Sequence, residues 1–226
     1  MTDSQLEPAG PLRARLQGLC GQIVEHRLTG PLASGNASIY DRATGLLVVT
    51  PTAVAFDKVS EESVAVCRVD RQLDALETIE GDPSSELRLH VAAYRESLQA
   101  ASCVLHLHSD WIVAASCLDH KRLPFIHYHQ ALLGSELTPV VPYASPGSVR
   151  LAESVGAAVA STGLKAVLLG NHGAVVLGVD EHEALEMGGL LEDVCRLVVM
   201  VGDRGRELPT SELISLRRLF RTYGRS

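Results

Sequence analysis

The 226-residue sequence predicts an α/β fold, organised as a single domain over residues 1–226. Three observations predict it. Apolar residues spaced three or four apart alternate with short apolar, partly β-branched runs bounded by glycine and proline, the two periodicities that mark helices and strands. The composition, 46% hydrophobic and 21% charged, is that of a globular chain able to bury one sizeable core. No internal repeat, low-complexity tract or linker-like stretch divides it.

Taken in order, Leu12, Leu16, Leu19, Ile23 and Leu28 trace the apolar stripe of a first amphipathic helix. "TGPLASGNAS" then ends it with glycines and a proline, and neither periodicity covers that stretch, which reads as a loop. "LLVVT", from Leu46 to Thr50, reads as a short buried strand stopped by "PTAV". In "GDPSSELRLHVAAYRESL" Asp82 can cap a second helix and Pro83 suits its first turn, with Leu87, Val91, Tyr94 and Leu98 on one stripe. "ASCVLHLH" reads as a strand, and "SVRLAESVGAAVASTG" as a helix ending at Gly163. "KAVLLGNHGAVVLG" holds two apolar runs around an Asn-His-Gly turn and reads as a hairpin. Asp180 opens a long helix to about Val201, and "SELISLRRLFRTYG" supplies the last one.

The formal net charge of −7, with basic residues scattered, argues against a nucleic-acid or acidic-membrane partner. No apolar run approaches the ~20 residues that span a bilayer. The first residues lack the basic-then-apolar layout of a secretory signal, so a cytoplasmic location is expected. Cys20, Cys67, Cys103, Cys117 and Cys195 are widely spaced, odd in number and without a C-x-x-C pair. They read as reduced thiols, which leaves any metal to histidine and carboxylate.

His106 and His108 in "VLHLHSDW" stand two apart in the predicted strand, so they project to one face and suit two ligands of one metal. On a helix they would diverge by roughly 200°, from its ~3.6-residue period. Catalytic zinc usually takes three protein ligands and keeps an open position. His172, at the hairpin turn, is the best third ligand, though a turn histidine before Gly173 has a plain backbone explanation as well. His127 and His129 in "FIHYHQ" repeat the same spacing and compete as a site, whereas His26, His90, His120 and His182 read as structural or solvated. Glu86, at the start of its helix, is a candidate base, and a carboxylate there is also what the helix macrodipole favours. "SGNAS" offers backbone amides to an anion but matches no nucleotide-binding fingerprint.

In sequence order, "SGNASIYD", "VVTPTAVAFDKV", "PSSELRLHVAAY", "VLHLHSD", "LLGNHGAVVLG" and "LFRTYG" resemble the segments of the class II aldolase/adducin family, in particular its bacterial L-fuculose-phosphate aldolase branch. The resemblance runs along nearly the whole chain. It implies a central, largely antiparallel sheet between helix layers in a three-layer αβα arrangement, and a homotetramer. It also implies one Zn2+ per subunit, held by His106, His108 and His172. By the same resemblance Glu86 is catalytic, Tyr128 and Tyr223 are proton donors, and Gly35, Asn36, Thr52, Ser84 and Ser85 hold the substrate phosphate.

The implied reaction is reversible cleavage of a ketose 1-phosphate to dihydroxyacetone phosphate and an aldehyde, a class II (metal-dependent) aldehyde-lyase activity in carbohydrate metabolism. Glu86 stands where the family's pentulose-phosphate epimerases carry aspartate, which favours the aldolase side. The alternatives on the same scaffold are an epimerase, a sugar-acid phosphate decarboxylase and a dehydratase; a non-catalytic adducin-like binding protein would lack the three histidines. Ala53, where the family has glycine, and Ile39 and Tyr40, near where it often has arginine, depart from the pattern around the phosphate.

Overall fold

Both faces of the sheet are apolar, and two helix layers cover them. The computed structural model describes residues 9–70, 72–97, 101–134, 136–160 and 164–222, with only the backbone at residue 221. In chain order the elements are α1 (Ala9–Glu25), β1 (Gly35–Asp41), β2 (Leu46–Val49), β3 (Ala65–Val69), β4 (Leu76–Glu80), α2 (Leu87–Glu96), β5 (Cys103–Leu107) and α3 (Asp110–Ser116). They continue with β6 (Val140–Val141), α4 (Val149–Ala160), β7 (Ala166–Leu169), β8 (Gly173–Gly178), α5 (Glu181–Val201) and α6 (Ser211–Thr222).

The strands form one sheet in the order β4-β3-β2-β1-β5-β8-β7-β6. Every neighbouring pair is antiparallel except β6 and β7. The sheet is therefore central and largely antiparallel, as the resemblance implies. Alternation along each strand sorts the side chains. Ile39, Leu46, Val48, Leu105, Leu107 and Val176 pack with α1, α3 and α5, whereas Leu47, Val49, Val104, Val175 and Leu177 pack with α2 and α4. Truncating a side chain such as Leu105, fully buried in mid-sheet, to alanine should cost about 2–5 kcal/mol. α6 sits apart, with Leu213 against Phe125 and Ala131.

The hairpin and the last two helices lie where the sequence places them. β7 pairs with β8 from Leu169↔Gly173 outward, and Asp180 caps α5 by accepting from the Glu183 amide at 2.8 Å. All five cysteines are free thiols. Leu98 and Gly163 lie outside the described residues.

Two expectations need correction. "SGNASIYD" is not a loop but β1, an interior strand between β2 and β5. Its face towards α2 carries Asn36 and Ser38, so polarity hid a strand whose buried groups are satisfied by hydrogen bonds rather than by apolar neighbours. Likewise α2 does not begin at Asp82 and Pro83. Pro83 forms a bridge with Pro51, and the Ser84 amide donates to the Thr50 carbonyl at 3.1 Å, so the chain stays paired through Ser84 and turns into the helix at Ser85 and Glu86.

Candidate metal centre and active site

Four side chains converge where β5 ends, where the β7–β8 turn passes it and where α2 begins. The ligand atoms of Glu86, His106, His108 and His172 all lie within 4.8 Å of one another. His106 lies on β5 and shares its face with Val104, the face that α2 covers. His108 follows two residues later, and its Nε2 is 2.9 Å from that of His106. The next residues are locked from α5: the Glu192 carboxylate accepts from the Ser109 hydroxyl at 2.6 Å and from the amides of Trp111 and Ile112 at 3.2 and 3.0 Å.

His172 reaches the cluster through the turn. Asn171 takes a left-handed φ of 54°, and the His172 amide lies within hydrogen-bond distance of the Leu169 carbonyl and the Ser116 hydroxyl. A side chain at Gly173 would overlap the Leu107 carbonyl and come within 2.8 Å of the His108 ring, so only glycine lets β8 lie this close. The His172 Nε2 is 3.3 Å from that of His106.

Glu86 completes the group. It is 5% exposed and makes no capping bond to its own helix, so its carboxylate answers to the cluster and not to the helix macrodipole. The Oε2 atom lies 3.0 Å from His106 Nε2 and accepts from the Asn36 side-chain amide at 3.0 Å. Oε1 is buried with no hydrogen-bond partner, as is His172 Nδ1.

The arrangement is electrostatically unfinished. His106 donates from Nδ1 to the Ala174 carbonyl at 2.9 Å, so in the neutral ring Nε2 is a bare acceptor. That acceptor faces a carboxylate oxygen and two further imidazole nitrogens. One proton between any two of these atoms relieves one contact; a cation among them relieves all. Burial, with the help of His106 and His172, pushes His108 down to about 3. Burial and then His106 also lower His172, so both rings are neutral, as ligands must be, over the physiological range. For Glu86 burial acts upward, but positive charge and hydrogen bonding on the histidine side of the contact, with the Asn36 amide, outweigh it and hold the carboxyl ionised, and a cation among these atoms would supply that same charge. A tetrahedral metal with bonds of about 2.0–2.1 Å to nitrogen sets its ligands about 3.3 Å apart, and the observed 2.9 and 3.3 Å fit such an ion.

The other sequence-predicted residues divide. Thr52, Ser84 and Ser85 are brought together by the Pro51–Pro83 bridge, with the Thr52 amide donating to the Asp82 carbonyl at 3.0 Å. Gly35 has a φ of 130°, and a Cβ there would meet the His106 carbonyl and the Phe56 ring at 2.6 Å. Asn36 has both ends of its amide committed inside the protein, to Glu86 and to His90. Ala53, exposed, takes a left-handed φ of 56°, a backbone that suits the family's glycine better. Tyr128 is 44% exposed and stacks on Phe220, outside the four-residue cluster. Tyr223 lies outside the described residues. The sequence reading missed His90, which is fully buried beside Asn36.

Comparison with known proteins places these features. The sequence model described as the class II aldolase and adducin N-terminal domain matches residues 14–199. The 3-oxo-tetronate 4-phosphate decarboxylase of Escherichia coli K12 is 34% identical over 192 residues, covering 82% of this chain and 85% of the relative. The L-fuculose phosphate aldolase of the same strain is 32% identical over 195 residues, covering 84% and 86%. Among solved structures, YgbL from Klebsiella pneumoniae is similar with a TM-score of 0.79 at 29% identity, over 92% of this chain and 98% of that one. An L-fuculose 1-phosphate aldolase gives a TM-score of 0.81 at 25% identity, over 93% and 96%.

Proposed function

The chain belongs to the class II aldolase and adducin family, and from that membership we propose that it is a metal-dependent lyase that breaks a carbon–carbon bond beside the ketone of a phosphorylated sugar or sugar acid. The observation that carries the reading is the convergence of three imidazole Nε2 atoms and a buried carboxylate within 4.8 Å of one another. That is the donor set of a divalent cation, and a scaffold without chemistry has no use for it. Among the possible substrates a 3-oxo-sugar-acid phosphate comes first, because decarboxylases of 3-oxo-tetronate 4-phosphate are 33–34% identical over 82% of the chain, against 32% for the fuculose phosphate aldolases. Aldol cleavage of a ketose 1-phosphate, which the sequence reading put first, is second and rests on the fuculose phosphate aldolases.

The two reactions share their chemistry. Loss of carbon dioxide from 3-oxo-tetronate 4-phosphate, or of an aldehyde from a ketulose 1-phosphate, leaves the bonding pair on the same three-carbon enolate. Protonation at carbon then gives dihydroxyacetone phosphate in both. When bound by His106, His108 and His172, a divalent metal, zinc by the donor set, supplies Lewis acidity towards the ketone oxygen. Glu86 carries the proton to and from the reacting carbon through its unpartnered Oε1. Gly35, Thr52, Ser84 and Ser85 take the phosphate. Tyr128 and Tyr223 serve at the aldehyde oxygen of the aldol reaction, taking the hydroxyl proton in cleavage and donating it in the reverse condensation, whereas departing carbon dioxide needs no donor. Tyr128 stacks on Phe220 and is not one of the four converging residues, and in the proposed homotetramer it serves a neighbouring subunit.

The test is to load the purified protein with zinc and offer 3-oxo-tetronate 4-phosphate and L-fuculose 1-phosphate separately. Dihydroxyacetone phosphate should form from one of them, with matching carbon dioxide or aldehyde. Turnover that survives complete removal of metal, or none from either substrate class, would refute the reading. Light scattering checks the assembly, and a fully active monomer would overturn it.

A further inference from the structure

Asn36, Ser38 and Tyr40 alternate onto the face of β1 that α2 covers, and Glu86, His90 and Tyr94 form the facing row of the helix segment. Two strand residues advance about 6.6–6.8 Å and four helical residues about 6.0 Å, so the two rows stay in step over three pairs. Each pair touches. Glu86 Oε2 accepts from Asn36 Nδ2 at 3.0 Å, and Asn36 Oδ1 lies 2.5 Å from His90 Nε2. His90 Nδ1 lies 2.7 Å from the Ser38 hydroxyl, which is 2.8 Å from the Tyr94 hydroxyl. The Tyr40 and Tyr94 rings close the row with centroids 5.5 Å apart.

The geometry fixes the order of the protons, because Asn36 Nδ2 faces Glu86 and Oδ1 faces His90. The Asn36 amide must give its N–H to the carboxylate, which turns its carbonyl to His90 and requires the ring to donate from Nε2. The bare Nδ1 then accepts from Ser38, whose oxygen can accept from Tyr94. Flipping the Asn36 amide would set its carbonyl against the carboxylate oxygen. Burial lowers His90 to about 3, which keeps the ring neutral.

Apolar side chains could fill this volume without the cost of desolvating polar groups. The row instead ends on a carboxylate whose second oxygen, Oε1, is buried, makes no hydrogen bond and has His172 Nε2 at 3.7 Å. We propose that His90, acting through Asn36, is a positioning residue that fixes the plane of the Glu86 carboxylate, so that Oε2 is held and Oε1 is presented to the reacting carbon. The inference rests on the lyase reading above. It also makes the Asn36 side chain an orienting group and not a phosphate ligand.

The experiment follows deuterium wash-in from D2O to dihydroxyacetone phosphate, catalysed by zinc-loaded protein. Glutamine at position 90 can place an amide N–H near the Nε2 position, whereas asparagine reaches only the Nδ1 position. His90→Asn should slow the exchange ~10- to 100-fold at saturation, the scale of misplacing a reacting group, with KM and zinc content unchanged. His90→Gln should stay within about 5-fold of the parent, the cost of a much smaller misplacement. Equal rates for the two variants, or losses that simply follow their melting temperatures, would overturn the positioning role. A wild-type protein without exchange would refute the lyase reading instead. Independently of activity and of the variants' folding, nitrogen NMR of the wild-type histidines should show His90 protonated at Nε2 and bare at Nδ1, with or without zinc. The opposite tautomer would break the proton order and the proposal with it.

Discussion

Two pairs of histidines share one spacing, His106 with His108 and His127 with His129, and they have opposite fates. The first pair spans the end of a buried strand, and its Nε2 atoms point at one another, at His172 and at Glu86. The second opens a 3-10 turn over Tyr128–Leu132, where His127 Nδ1 accepts from the His129 amide at 3.4 Å. Its rings are only partly buried, and their neighbours are Tyr128 and Phe220. Spacing of two makes a ligand pair only where the backbone is extended and where another segment delivers the remaining ligands.

The strongest way to break this comparison is to remove a ligand from the first pair. His108→Ala should lose stoichiometric zinc and with it all turnover above background, read by elemental analysis and by product formation. Zinc retained in full would return the cluster to a merely structural role. Glu86→Gln comes next. It should keep the metal and lose about 10²–10⁴-fold in rate, the usual worth of a general base, whereas near-normal turnover would leave the carboxylate without a catalytic part.

Two histidines on the metal-centre side of the comparison should also set the response to acid. His90 and His108 are lowered to about 3 from an ordinary value near 6.5. For each, the unfolded chain binds more protons between those values, so the native state is fully favoured above about pH 6.5 and loses support as pH falls towards 3, by about 1.4 kcal/mol per pH unit per group. Denaturant unfolding of the metal-free protein between pH 7 and 4 measures this slope, and His90→Gln should reduce it. The smallest effect belongs to the second pair. His127→Gln with His129→Gln should leave zinc content unchanged and alter stability by no more than about 0.5 kcal/mol each. Loss of metal from that double variant would erase the distinction between the pairs.

How much was legible follows the same division. The β7–β8 hairpin and α5 were readable because each carries its own signal, a turn between apolar runs and an aspartate cap. β1 was not, because half of it is polar, and only α2 lying over it makes those polar groups a core. α2 itself was placed four residues early, since a capping signal at Asp82 and Pro83 was overridden by pairing with the end of β2. Glu86 stands at the start of α2, as the sequence reads, but its burial against His106 comes from the fold. His90 carried a signal in the pattern Glu-x-x-x-His-x-x-x-Tyr, but that pattern has meaning only opposite Asn-x-Ser-x-Tyr on a strand.

The sequence by itself determined the α/β class, the reduced thiols, the same-face pair His106 and His108, and, through six ordered segments, the family. Those are local or ordered properties, carried by side-chain period, by spacing and by motif order along the chain. The tertiary structure alone decided that Glu86 faces His106, that His172 closes on both histidines, and that Asn36 lies between the carboxylate and His90. These contacts join residues up to 66 positions apart. Their geometry comes from the antiparallel register of β1, β5 and β8 and from the layer of α2 above it, which no local pattern encodes.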